Sequence, residues 1–114
     1  MISRFNVEAR AEGNYAVIQT EGYLNGPMGE HLAEAARGLI NKGYNKIIIN
    51  LERTRHINSI GISILIEIIE LLEIQEGVLH FCCLTPVIER TFRMMGLAQH
   101  TAIFPDEDSA IANL

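Results

Sequence analysis

Positive charge is scarce in this chain. Across 114 residues, nine lysines and arginines stand against fourteen aspartates and glutamates, a formal charge of −5. A protein of that sign gains no counterion release on nucleic acid and is repelled by anionic lipid, so neither is an expected partner. The acids are dispersed, and the nearest thing to a cluster is Asp106-Glu107-Asp108. Cysteine is scarcer still. Cys82 and Cys83 are adjacent, and neighbours on a strand point to opposite faces, so a bridge between them would be strained. Reduced thiols in a reducing compartment follow. Long apolar runs are missing too. The opening MISRFNVEAR has no stretch of signal-peptide length, and Glu67 and Glu70 interrupt the best candidate for a membrane span. These absences predict a soluble cytoplasmic domain with no membrane insertion.

Catalytic and cofactor motifs are equally thin. There is no glycine-rich phosphate loop. Gly61-Ile62-Ser63 fails the G-x-S-x-G elbow, because Leu65 stands where the second glycine belongs. His31, His56, His80 and His100 are scattered, with no ligand at the spacing of a zinc pair. No C-x-x-C supports redox chemistry, and buried strand thiols are the expectation for Cys82 and Cys83. No metal and no cofactor are therefore predicted. Without a visible base–nucleophile pair, Ser59 and Ser63 are poor candidates for a catalytic nucleophile.

What is present is enough for one folded domain over residues 1–114. Hydrophobic residues make up 48% and charged residues 20%, which supports a core and argues against disorder. Phe5, Val7 and Ala9 alternate with Arg4, Asn6, Glu8 and Arg10, the period of a half-buried strand. Glu12-Gly13-Asn14 is a turn signal, and Tyr15–Thr20 returns as the second arm of a hairpin. Asn25-Gly26-Pro27 then opens a helix whose Leu32, Ala35, Ala36, Leu39 and Ile40 recur at helical spacing, with Lys42-Gly43 as its stop. KIIINL (46–51) reads as a strand covered on both faces. A helix over 59–76 ends at Gly77, VLHFCCL (78–84) is another strand, and Thr85-Pro86 caps a third helix that closes at Gly96. Residues 101–104 are a short strand, and Asp106 starts a last helix. The order ββαβαβαβα predicts an α/β fold with a mixed sheet of about five strands and helices packed on it.

The stretch INSIGISILI (57–66) carries the main functional signal. On a helical wheel at about 100° per residue, Ile60, Gly61, Ile64, Leu65, Ile68, Ile69, Leu71 and Leu72 are placed toward the sheet. Ser59, Ser63, Glu67, Glu70 and Glu73 fall on the outer face, together with Ile62, Ile66 and Ile74. The three isoleucines are either a contact patch or are covered by a neighbouring element. Asn58 and Ser59 stand at the helix start, where unpaired amides and the positive dipole end converge. They serve either as simple caps or, in the case of Ser59, as an acceptor of phosphate that the helix end would stabilise. His56, three residues earlier, is expected to be a solvated loop residue.

Three stretches resemble the STAS domains, and within them the bacterial anti-sigma factor antagonists: GYLNGPMGEHL, IIINLERTRHINSIGISIL and LTPVIERTFRMMGLAQHTAIF. The resemblance spans nearly the whole chain. It implies a STAS-like fold and a regulatory protein-binding module, not an enzyme. It further implies docking to an anti-sigma factor of the serine-kinase type, or another regulatory protein, with Ser59 as the phosphorylated residue. Asn58 stands where the family carries an aspartate, Ile60 where it carries serine or threonine, and Asn25 ends a turn that is acidic in the family. The implied partner-binding set is Asn25, Gly26, Met28, Asn58, Ser59, Ile62, Ser63 and Ile66. The two amides and Ile60 also admit an alternative, a non-phosphorylated STAS scaffold subunit of a signalling or transport complex. Exposed isoleucines make a homo-oligomer a further expectation.

Overall fold

The structure is a computed structural model describing residues 5–114; Arg4, placed above on the polar side of the first strand, lies outside them. The elements are β1 (Asn6–Glu12), β2 (Tyr15–Leu24), α1 (Gly26–Asn41), β3 (Lys46–Ile57), α2 (Ser59–Ile74), β4 (Val78–Cys82), α3 (Pro86–Met94), a 3-10 turn (Leu97–Gln99), β5 (Ala102–Phe104) and α4 (Glu107–Ala112). This is the expected order with the 3-10 turn added. β4 is shorter than predicted because Cys83 adopts a left-handed backbone, φ 64°, which turns Leu84 out of the strand.

The sheet has five strands in the order β1-β2-β3-β4-β5. β1 runs antiparallel to β2, and β2 through β5 are parallel. Each parallel step advances in the same direction, so right-handed crossovers deliver α1, α2 and α3 to one face. There Met28, Leu32, Leu65, Ile68, Ile88 and Phe92 pack with Ile18, Ile47, Ile49 and Phe81 in the main core. Val17, Ile48 and Cys82 turn to the other face, where α4 covers them through Ala110. The unbroken Ile47-Ile48-Ile49 thus serves two cores from one strand, as its lack of alternation implied.

β3 is longer than the sequence suggested. Residues 52–57, ERTRHI, read as a loop because four of them are charged or imidazole-bearing, yet they continue the strand. Beyond Asn50 they pair with β2 alone, and Glu52, Arg53, Arg55 and His56 are exposed. The pairing is interrupted twice: from Gln19↔Asn50 to Glu21↔Arg53, and from there to Tyr23↔His56, β2 advances two residues while β3 advances three. Such bulges re-aim side chains and sharpen twist. Asn50 supports the first, its side-chain oxygen accepting the Glu52 N–H at 2.9 Å. Buried Thr20 and Thr54 satisfy one another across the same stretch, with hydroxyls 2.6 Å apart.

The start of α2 is pressed onto the end of β2. A Cβ added at Gly61 would lie 2.3 Å from the Leu24 carbonyl oxygen, closer than any real contact, so only glycine fits. Gly61→Ala must push the helix off the strand, and we expect a loss of roughly 1–3 kcal/mol. Gly38 of α1 meets nothing within 4 Å. Gly38→Ala should therefore stabilise by about 0.5–1 kcal/mol, the usual helix-interior difference. Denaturant melts of both variants check the contrast; equal effects would contradict the contact.

Candidate functional site

β2 through β5 are parallel, so the helices that follow them all begin at one edge of the sheet, the carboxyl end of the strands. Each start has its own side-chain cap. Asn25 Oδ1 accepts the Met28 N–H at 3.3 Å for α1, and Asn58 Oδ1 accepts the Gly61 N–H at 2.9 Å for α2. Thr85 and Asp106 do the same for α3 and α4 at 3.2 and 2.8 Å. The Ser109 amide and hydroxyl that bond Asp106 hold its carboxyl below the usual carboxylate range.

Asn58 alone therefore performs the capping. Ser59 is the first residue of α2, it is exposed, and its hydroxyl makes no hydrogen bond within the described residues. The amides of Ser59 and Ile60 have no intrahelical acceptor, being in the first turn. The Asn58 N–H donates to the Leu24 carbonyl at 3.1 Å and fixes the approach of the chain to that turn. Ser63 is exposed one turn on, and its hydroxyl donates back to the Ile60 carbonyl at 2.7 Å.

Two residues of the predicted binding set lie inside the protein. Met28 is 0% exposed and Ile62 is 5% exposed, both in the main core. Met28 is drawn in because Pro27 and the cap turn the first residues of α1 toward β2. Ile62 is buried because Gly61 must face Leu24, which rotates the buried stripe of α2 onto Gly61, Ile62, Leu65, Ile68, Ile69 and Leu72. The same rotation exposes Ile60, which the wheel had placed inward; it is 53% exposed. The surface formed at this edge is thus Ser59, Ile60, Ser63 and Ile66 on α2, with half-buried Asn25 and Gly26 alongside. Ile60 lies over Gly26: a Cβ there would be 3.8 Å from its Cγ2. The third outward isoleucine, Ile74, is exposed at the far end of the helix.

Sequence reasoning missed a neighbouring groove of about 440 Å³ between the end of β3 and α3. Tyr23, Ile57 and Val87 provide apolar walls, and Arg55 and His56 provide basic groups. His56 is exposed, but it lies on β3 rather than in a loop. Its ring meets Tyr23 edge-on with centroids 6.3 Å apart, and no hydrogen bond joins it to Ser59. The strand pairing Tyr23↔His56 creates this contact, and it was hidden by reading 52–57 as a loop.

Cys82 is buried and Cys83 half-buried, both as free thiols. His80 is buried, its Nδ1 3.0 Å from the Ala110 carbonyl and its ring against Phe104. Burial pushes the Cys82 thiol far above its ordinary range and raises that of Cys83 as well. Among the described residues no group of three or more His, Cys, Asp or Glu side chains could hold a metal ion. None of the described helices is long and apolar enough to cross a membrane.

The division of labour between Asn58 and Ser59 can be measured. Asn58→Ala should lose about 1 kcal/mol of unfolding free energy, the usual value of an N-cap. Ser59→Ala should stay within about 0.5 kcal/mol of the parent, as an exposed side chain with no hydrogen bond among the described residues. Equilibrium urea unfolding separates them, and a larger loss at Ser59 would mean that its hydroxyl is engaged. A thiol measurement is independent of both. At pH 7.5 iodoacetamide should leave Cys82 unmodified in the folded protein and alkylate both cysteines in urea, as read by intact mass.

The chain superposes on an anti-sigma factor antagonist from Mycobacterium paratuberculosis with a TM-score of 0.85 at 18% identity, covering 96% of this chain and 93% of that one. The anti-sigma factor antagonist SpoIIAA in its unphosphorylated form matches with a TM-score of 0.80 at 22% identity over 95% of both chains. Bacillus SpoIIAA in its phosphorylated form gives 0.74 at 23% identity, over 96% of this chain and 98% of that one. At these identities the likeness is one of fold. The sequence profile of the STAS domain matches residues 6–110. The chain belongs to the STAS domain family.

Proposed function

We propose that this STAS domain is a regulatory docking module of the anti-sigma factor antagonist type, which binds a serine-kinase anti-sigma factor through the start of α2 and is switched by phosphorylation of Ser59. One observation carries the reading: Ser59 heads α2 with its hydroxyl exposed and without a hydrogen bond among the described residues, because Asn58 supplies the cap. A kinase can reach that hydroxyl without dismantling the helix. The γ-phosphoryl group of ATP would pass to Ser59 Oγ, ADP would leave, and the hydroxyl proton would go to a base of the kinase.

The product would carry about −1.5 to −2 charge beside two amides without intrahelical acceptors and the positive end of the helix dipole. That charge would also sit next to exposed Ile60, with exposed Ile66 about two turns further along the helix. A partner that covers these isoleucines must desolvate the phosphate, which weakens docking. The superposition on both an unphosphorylated and a phosphorylated SpoIIAA supports the reading, since one fold carries both states.

A second reading is a STAS scaffold subunit that docks by the same surface without a phosphate switch. The observation in its favour is that both caps flanking the surface, Asn25 and Asn58, are neutral amides whose side-chain oxygens are occupied by backbone N–H groups. Neither brings a charge that would orient a metal-bound nucleotide.

Incubation with a serine-kinase anti-sigma factor and ATP separates the two. Under the first reading intact mass rises by a single phosphate, Ser59→Ala abolishes the addition, and Ser59→Asp weakens binding by at least about tenfold, within the usual range of coupling energies. An unmodified protein that still binds, and binds less well after Ile60→Glu, would select the scaffold.

A further inference from the structure

β1 is an edge strand. It bonds to β2 on one side, and nothing among the described residues pairs with its other side. Every residue from Asn6 to Glu12 except half-buried Val7 is exposed. A bare edge is a template for another strand, and proteins usually protect one with charge. β1 does carry charges, but they are arranged in a way that suits a second copy of itself.

The turn fixes which groups face outward. Gly13 has φ 60°, and Gly13-Asn14 joins Glu12 to Tyr15 as a two-residue hairpin. In such a hairpin the closing pair is hydrogen-bonded. The backbone groups of Glu12, Arg10, Glu8 and Asn6 therefore point to β2, and those of Ala11, Ala9 and Val7 point to the open edge. Two copies of β1 laid antiparallel with Ala9 opposite Ala9 bring the outward groups into register. Val7 then bonds Ala11 of the other copy, and Ala9 bonds Ala9.

The side chains agree with this register on both faces. Val7, Ala9 and Ala11 lie on the α1 side, opposite Thr20, Ile18 and Ala16 of β2. In the pair they would meet Ala11, Ala9 and Val7, all apolar and mostly small. On the other face Glu8 would stand opposite Arg10 of the second copy, and Arg10 opposite its Glu8. Asn6 and Glu12 would face each other in the same way. Shifting the register by two residues breaks the match, because Glu8 then meets Glu8 or Glu12. Within one chain Arg10 already donates to Glu107 and Glu12, and Glu8 Oε1 accepts from Asn6 at 2.8 Å. Arg10 Nη1 and Glu8 Oε2 are unoccupied by those bonds and remain for the cross-strand pair.

We infer that β1 is a self-complementary edge through which two copies of this chain join antiparallel, centred on Ala9, into one ten-stranded sheet. A single strand pair buries far less than a standard interface, so the dimer is weak, dependent on concentration and sensitive to salt.

Sedimentation equilibrium from micromolar to millimolar protein, at low and high salt, tests the association. The full chain should move from monomer to dimer, and added salt should shift it back. Two charge variants assign the surface. Glu8→Lys alone sets one lysine opposite each Arg10, and Arg10→Glu alone sets one further anion opposite each Glu8; each should weaken self-association by about tenfold or more. Mixed in equal amounts they should associate again, because each introduced charge then faces its opposite. Ala9→Pro removes an outward N–H without touching the β2 ladder, so it should yield a monomer of unchanged far-ultraviolet circular dichroism. A parent that stays monomeric to millimolar concentration would overturn the inference. A dimer indifferent to all three substitutions, but lost on Ile60→Glu, would place the contact on α2 and overturn it equally.

Discussion

The carbonyl oxygen of Leu24 governs the geometry of the candidate site. It ends β2, accepts the Asn58 N–H at 3.1 Å, and lies where any side chain at Gly61 would have to be. A buried carbonyl needs a partner, and a helix start has amides to spare. Meeting that need draws the first turn of α2 onto the strand end and sets the rotation of the whole helix. Which isoleucines face the core and which face water is decided there. Gly29 acts in a similar way between the helices: a Cβ at that position would sit 2.8 Å from Ile64 Cγ1, so α1 and α2 approach closely at that level. With both helices held, Gly26 and Ile60 come together and leave Ser59 at the lip.

Much of this was legible from residue types. Asn25-Gly26-Pro27, Thr85-Pro86 and Asp106 announced helix starts, and each start carries a side-chain cap hydrogen bond. The β-branched run of β3 announced a strand buried on both faces. The failures share a cause, which is that local pattern was uninformative where tertiary contact decided. α2 is apolar around most of its circumference, so periodicity could not settle its phase, and Ile60 and Ile62 were exchanged. The polar end of β3 looked like a loop because β4 stops pairing at Asn50↔Cys82, which leaves Glu52, Arg53, Arg55 and His56 open to water with β2 at their side. Thr20 and Thr54 gave no sign of burial, since two hydroxyls satisfy each other only after two bulges bring them together.

The neutral amides at the site carry a physical consequence. An aspartate cap would place a full negative charge next to Ser59, repelling an incoming phosphate and competing with it for the helix end. Asn58 makes the same hydrogen bond to Gly61 without that charge. A phosphoserine at this helix start would therefore meet less local repulsion, while the unmodified site offers less field to position a cation. Compared with an aspartate, Asn58 would give up control over the proposed transfer in exchange for tolerance of its product. Ile60 and Ile66 are exposed in either case.

The sheet also determines how the two proposed surfaces relate. Docking uses the carboxyl ends of β2 and β3, whereas self-pairing runs along the side of β1. Antiparallel pairing of β1 reverses the strand direction from one copy to the next. The two Ser59 sites would then lie at opposite ends of the joined sheet, each open to its own partner. Helices α1 to α3 of both copies would stay on one face, because a twofold axis normal to the sheet preserves the side on which Val7, Ala9 and Ala11 lie. A single rigid partner could not engage both sites, so dimerisation would add no avidity for a monomeric partner. It would instead link two partner molecules across about the width of the sheet. Self-pairing is thus compatible with a docking function and sterically independent of it, since Ser59 issues from β3, two strands inward from the edge.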